Sequence, residues 1–166
     1  MHARGWLLVP IVLLIAFGCG SPGLRSPARV GQTVEVNDLQ ATVVRVDGDF
    51  QTPEGGGLKN AQLAGKRIVA VDFRLTNAGR SARLVSTDSQ FQLKDGANHQ
   101  FETSPWSPEP KFPEGKLFAG ETSRGWVAFL VPSEAAPLRL VFDTSFLGGV
   151  PVSFDLGRAG ARPAGV

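Results

Sequence analysis

The chain has 166 residues, 42% of them hydrophobic and 19% charged, and its 17 Lys and Arg against 15 Asp and Glu give a net charge of +2. A single cysteine excludes an internal disulfide, and one cysteine with two histidines cannot furnish a Cys/His zinc site. The balanced charge, without any basic run, argues against nucleic acid as a partner, because phosphate recognition needs clustered Lys and Arg, and the length suits one domain able to fold alone.

Met1 to Gly5 is a short basic head, and Trp6 to Phe17 is an apolar run shorter than the ~20 residues a spanning helix needs. This is the layout of a secretory signal. The run closes on Ala16-Phe17-Gly18-Cys19, which resembles the lipobox of bacterial lipoproteins. The resemblance implies a signal peptide at 1–18, cleavage between Gly18 and Cys19, a lipid on Cys19 and attachment to a membrane through it. Gly20, which is not the aspartate that retains such proteins at the inner membrane, implies the outer membrane in a cell that has one. The same residues also fit an ordinary signal cut at the same bond, which would leave Cys19 an unpaired thiol in an oxidising compartment; acylation removes that hazard. Removing residues 1–18 takes Arg4 from the 17 basic side chains and nothing from the 15 acidic ones, so the exported chain carries +1.

Residues 19–31 read as a flexible Gly/Ser/Pro tether with a reach of roughly 20 Å, and 157–166 as a disordered tail of similar character. Between them apolar residues recur at every second position, with β-branched and aromatic types dominant. Thr33 to Val36 and Leu39 to Val46 are strands joined by the turn-forming pair Asn37-Asp38. A long connection, Gly48 to Lys66, follows. Arg67 to Asn77 is the clearest strand, with Val69, Val71, Phe73 and Leu75 on a core face and Ala70, Asp72, Arg74 and Thr76 on a wet one. Ser89 to Phe101 is a hairpin turning at Asp95-Gly96. Glu102 to Lys116, with four prolines, is a surface loop or crossover. Ser123 to Pro132, Leu138 to Asp143 and Val150 to Leu156 complete about eight strands, the last carrying Pro151, which prefers a sheet edge. The expected fold is all-β: an immunoglobulin-like antiparallel β-sandwich of about 7–9 strands over residues 32–156.

The order "VGQTVEVNDLQATVVRV", "KRIVAVDFRLTNAGRSARLVSTDSQFQLKDGANHQF" and "LFAGETSRGWVAFLVPSEAAPLRLVF" resembles a family of bacterial secreted and lipid-anchored Ig-like domains of unknown function, related to secreted immunogenic antigens. The resemblance rests on Asn77 closing a strand, on the Asp95-Gly96 hairpin, and on Gly125, Val127, Phe129, Val131 and Pro132. It implies architecture and an extracytoplasmic address but no reaction. The Pro-rich stretch 102–116 departs from the family's plainer connection.

No catalytic apparatus, metal site or cofactor is expected. The exported chain has His99 alone and no tyrosine, and His99 beside a hairpin turn reads as a solvated side chain. Asp47-Gly48-Asp49 reads as a turn rather than a cation site, since the later ligands of an EF-hand loop are missing. Gly55 to Gly57 reads as a loop, since no G-K-[ST] follows it. If Val127, Phe129 and Val131 face the core, Trp126, Ala128 and Leu130 face outward. That apolar face is either covered by the loop carrying Trp106 and Phe112 or offered to a partner; in the second case Trp106, Phe112, Trp126 and Leu130 form the candidate surface. The function expected is a non-catalytic, lipid-anchored binding or structural module of the cell envelope, its ligand a protein, glycan or small molecule. A hydrolase with carboxylates converging from loops, and an assembly factor exchanging an edge strand, are the alternatives.

Overall fold

The computed structural model describes residues 26–52 and 64–159. Cys19 with its cleavage site at Gly18, Gly55–Gly57, and most of the expected tether and tail lie outside them. The described chain forms β1 (Ala28–Arg29), β2 (Thr33–Val36), β3 (Leu39–Asp47), β4 (Lys66–Asn77), β5 (Arg83–Val85), α1 (Thr87–Gln90) and β6 (Phe91–Asp95). There follow β7 (Gln100–Phe101), β8 (Gly115–Leu117), β9 (Thr122–Pro132), β10 (Leu138–Phe142) and β11 (Val152–Gly157). One sheet has the order β1-β11-β10-β6-β7, a second β2-β3-β4-β9, and β5 pairs with β8. This is the immunoglobulin-like β-sandwich the alternation predicts. Its eleven described strands exceed seven to nine because β1, β5, β7 and β8 are only two or three residues long, too short to show a period.

The two large sheets close on Phe73, whose ring meets Phe91 edge-on at 4.9 Å and Phe154 at 5.9 Å, with Phe142 at 5.4 Å. Val43, Val69, Leu75, Phe129 and Leu140 complete a fully buried layer. Asn37 and Asp38 both have positive φ, 47° and 62°, so the β2–β3 hairpin turns through a type I′ pair that matches the twist of its strands. Asp47 and Asp49 close a turn, the Asp49 amide donating to Asp47 Oδ1 at 3.2 Å. His99 is exposed beside the β6–β7 turn, its Nδ1 2.9 Å from Asp95 Oδ2.

Three expectations are corrected. The disordered ends are shorter than expected: the tether does not run to residue 31, since Ala28 is buried and β1 pairs in parallel with β11, Ala28 opposite Phe154, and the tail does not begin at 157, since Gly157 closes β11 and the Ala159 carbonyl accepts from Arg67. The last strand is not an edge, because β11 lies between β1 and β10. Pro151 stays just outside it, and β1 is too short to pair alongside. The second face of β4 is not wet along its length, since Ile68, Ala70 and Asp72 are all buried. Something covers them, and that cover positions the candidate site.

Candidate functional site on the strapped outer face

In β9 the two-residue alternation sends Val127, Phe129 and Val131 into the core and Trp126, Ala128 and Leu130 to the outer face. The cover is the Pro-rich segment. Four prolines keep it from being an inner strand, yet it is bonded to the free edge of β9 at two places. The Leu130 amide donates to the Glu102 carbonyl at 3.2 Å and the Ser104 amide to Ala128 at 2.7 Å. Further on, the Trp126 amide donates to Pro110 at 2.9 Å and the Phe112 amide to Trp126 at 2.9 Å. The first contact is antiparallel and the second parallel, so residues 105–109 loop out between them. This strap satisfies an edge that would otherwise invite another strand.

Gly125 permits the close approach. A Cβ there would stand 2.5 Å from the Lys111 carbonyl carbon and oxygen and from the Phe112 nitrogen. These are backbone atoms with no rotamer to yield. Gly125→Ala is therefore expected to lift the strap at a cost of about 1–3 kcal/mol, read by urea unfolding. Full stability in the variant would show that the strap does not sit there.

The strap makes a small second core of Ile68, Ala70, Trp126 and Ala128, with Phe50, Trp106 and Leu130 half-buried against it. Beside Trp126 lies a charge cluster across three strands. Asp72 Oδ2 accepts from Arg45 Nε at 3.1 Å and from Arg124 Nη2 at 2.8 Å, while Arg124 Nε donates to Oδ1 at 3.0 Å. The Arg45 guanidinium lies 4.6 Å from the Trp126 ring centroid, a cation–π distance. The Arg124 hydrogen bond, opposed by burial, holds the Asp72 carboxyl below its ordinary range. A carboxyl whose acidity is greater folded than unfolded stabilises the fold above the unfolded value near 4, and that contribution fades as pH falls through the lower folded value. The stability difference between the wild type and Asp72→Asn is thus expected to be full at pH 6 and to shrink below about pH 4. Urea melts across that window check it; a difference constant with pH would contradict it.

Outside the second core runs a groove of about 640 Å³ lined by Phe50, Pro105, Trp106 and Pro108, with the exposed Glu109 and Lys111 among its walls. The four residues of the expected partner surface separate here. Trp106 lies half-buried in the groove and Leu130 half-buried nearby, but Trp126 is 8% exposed and lies beneath the strap. Phe112 is a correction: it is 4% exposed and belongs to the main core, 5.8 Å from Phe73. The strap turns it inward past the sheet edge. Phe50, Arg45, Asp72 and Arg124 were not expected. Their only trace in the sequence is a lone acid inside the apolar run "VAVDF", and its partners come from other strands.

A second cleft beside the strap, about 420 Å³ between it and α1, holds Asp88 and Glu114. Thr103 Oγ1 donates to Asp88 at 3.1 Å, and the Thr87 hydroxyl and amide both donate to Glu114. The Thr87 hydroxyl bond lowers the Glu114 pKa, the opposite of what a general acid requires. As for strand exchange, the four-stranded sheet ends on the strapped β9 and the four-residue β2. The five-stranded sheet ends on the two-residue β1 and β7.

A family profile described as a domain of unknown function, DUF4352, matches residues 28–152. No curated protein sequence matches the chain. Among solved structures, the yjhA protein of Bacillus subtilis aligns with a TM-score of 0.56 at 16% identity, over 77% of this chain and 99% of that one. The candidate lipoprotein ycdA of Bacillus subtilis gives 0.57 at 15% identity, over 79% of this chain and 39% of that one. The secreted protein MPT63 of Mycobacterium tuberculosis gives 0.55 at 13%, over 80% and 99%. At these identities the likeness is one of fold.

Proposed function

We propose, starting from the fact that this chain belongs to the DUF4352 family, that it is a lipid-anchored extracytoplasmic immunoglobulin-like module that works by binding and not by catalysis. The observation that carries the binding reading is the open groove beside the strap. There Trp106 and Phe50 remain half-buried and apolar next to exposed Glu109 and Lys111. An indole with charged groups at its border suits a ligand with one apolar face and a polar edge, the chemistry of a glycan ring, a peptide or a small amphipathic molecule. The prolines stiffen the groove before a ligand arrives, which lowers the entropy cost of binding. The address is supported by the lipobox-like Ala16-Phe17-Gly18-Cys19 and by the fold shared with a secreted protein and a candidate lipoprotein. The non-catalytic reading is supported by how the buried polar groups are used: Asp72 is closed off by two arginines, and Arg67 by backbone carbonyls.

Two measurements test the two halves. Mass spectrometry of the mature protein from a bacterial host is expected to find Cys19 as the acylated amino terminus; an unmodified terminus removes the anchor. For binding, a photo-cross-linker replaces Lys111 beside the groove or Arg139 on the opposite sheet in envelope preparations. Adducts are expected from position 111, lost on Trp106→Ala, and not from 139. Equal adducts from both positions, or no effect of Trp106→Ala, removes the groove.

A further inference from the structure

One end of the sandwich is a hydrogen-bonded platform of loops. The Ala78 amide donates to the Asp38 carbonyl at 2.7 Å, Gly120 to Asn77 at 2.7 Å and Asn77 to Glu121 at 2.9 Å, while Asn37 Nδ2 donates to Leu147 at 3.1 Å. The β2–β3, β4–β5, β8–β9 and β10–β11 connections therefore share this end. It also carries three of the five most exposed large apolar side chains among the described residues: Phe146 at 76%, Phe118 at 61% and Val150 at 59%. Phe146 is held outward by an ordered turn and is not on a loose loop. The Leu147 and Gly149 amides donate to the Thr144 carbonyl, and the buried Thr144 hydroxyl donates to Val150 at 2.7 Å. Such a turn keeps an apolar group in water unless a second surface meets it.

The chain's entry point says which surface. Because β1 runs parallel to β11 with Ala28 opposite Phe154, Ser26 and Pro27 lead in beside the start of β11. Ser26 and Val150–Ser153 indeed line one cleft. Cys19 is seven residues before Ser26, so even a fully extended connection spans no more than about 25 Å. A lipid on Cys19 would bring this end toward the bilayer, with the Asp95–His99 turn at the far end of β6.

We infer that the loop platform docks on the lipid surface, with Phe146 and Val150 seated at the headgroup boundary and the strapped face held upright beside it. The inference rests on the lipid-anchored reading above. Charges of both signs share this end, Arg83 standing 3.8 Å from Asp38 and Arg80 and Glu121 both exposed. The contact is thus apolar insertion rather than attraction to anionic lipid.

The test uses the mature lipoprotein reconstituted in phosphatidylethanolamine–phosphatidylglycerol vesicles. With Cys19 acylated, Val150→Cys or Ala97→Cys supplies one free thiol for an environment-sensitive fluorophore. Nitroxide lipids are expected to quench the label at 150 about threefold more than the label at 97. Phe146→Ser, which leaves the melting transition unchanged, is expected to reduce that difference, and added salt to leave it intact. Equal quenching at both positions in protein that still sediments with the vesicles overturns the docking while leaving the anchor. A contact abolished by salt also overturns apolar docking, and protein that leaves the vesicles altogether overturns the anchor and the docking with it.

Discussion

Phe112→Ala is expected to cost about 3–5 kcal/mol in urea unfolding, the range for truncating a buried phenylalanine, and to strip the cover from the outer sheet face in the same step. The side chain is the strap's plug. It crosses the sheet edge to lie 5.8 Å from Phe73 and 5.6 Å from Phe91, while its amide donates to the Trp126 carbonyl at 2.9 Å. Truncation therefore leaves a cavity at the centre of the aromatic cluster, and it also removes the anchorage that holds residues 105–111 over Trp126. The second effect separates this variant from an ordinary core deletion. In the chain that begins at Cys19, which lacks Trp6, a Trp106→Phe background leaves Trp126 beneath the strap as the emitting indole; its emission should shift to the red when Phe112 is truncated, whereas Phe142→Ala should destabilise without that shift. A loss below about 1 kcal/mol with unchanged emission would mean that the strap is held by its edge bonds alone.

The parts of this architecture legible in the sequence are those written in consecutive residues. The alternation of Val69, Val71, Phe73 and Leu75 specifies a core face, and Asn37-Asp38 specifies a turn whose φ values only a few residue types adopt readily. What could not be read depends on pairing between distant strands. Asp72 looks like a solvent-facing acid until register places Arg45 on one side and Trp126 on the other, with Arg124 reaching diagonally. Phe112 looks like a surface residue because four prolines surround it, yet the chain reverses within the strap and turns that ring inward. β1 was hidden for a different reason: two residues carry no period, and only a parallel partner 126 positions away makes them a strand. Half of the candidate site was therefore visible. Trp106 stands out by its Pro-rich setting and Trp126 by strand alternation, whereas nothing local marks Phe50 or the charge cluster.

Arg67→Met is expected to cost about 3 kcal/mol, because it removes the donors of four carbonyls, one buried and three partly buried, while keeping the aliphatic packing of the stem. Arg67 is 3% exposed at the start of β4. Its guanidinium donates to the carbonyls of Ser133 at 3.2 Å and Ala135 at 2.9 Å, and through Nη1 to those of Gly48 and Ala159. One side chain thereby ties the turn after β3, the loop after β9 and the residues after β11, at the opposite end of β4 from Asn77. Burial pushes the guanidinium below its ordinary range, with Asp49 partly offsetting it. The bonded partners are peptide carbonyls, which do not titrate. The cost should therefore stay nearly constant as pH falls from 6 to below about 4, the window in which that of Asp72→Asn shrinks. Arg67→Lys should recover less than half of it, since one ammonium with three donors cannot span four acceptors. Hydrogen exchange at the Ser133 amide, which donates to Gly65 at 2.9 Å, should accelerate in both variants. A lysine variant as stable as the wild type would show that charge alone, and not the fork of donors, closes this end of the sandwich.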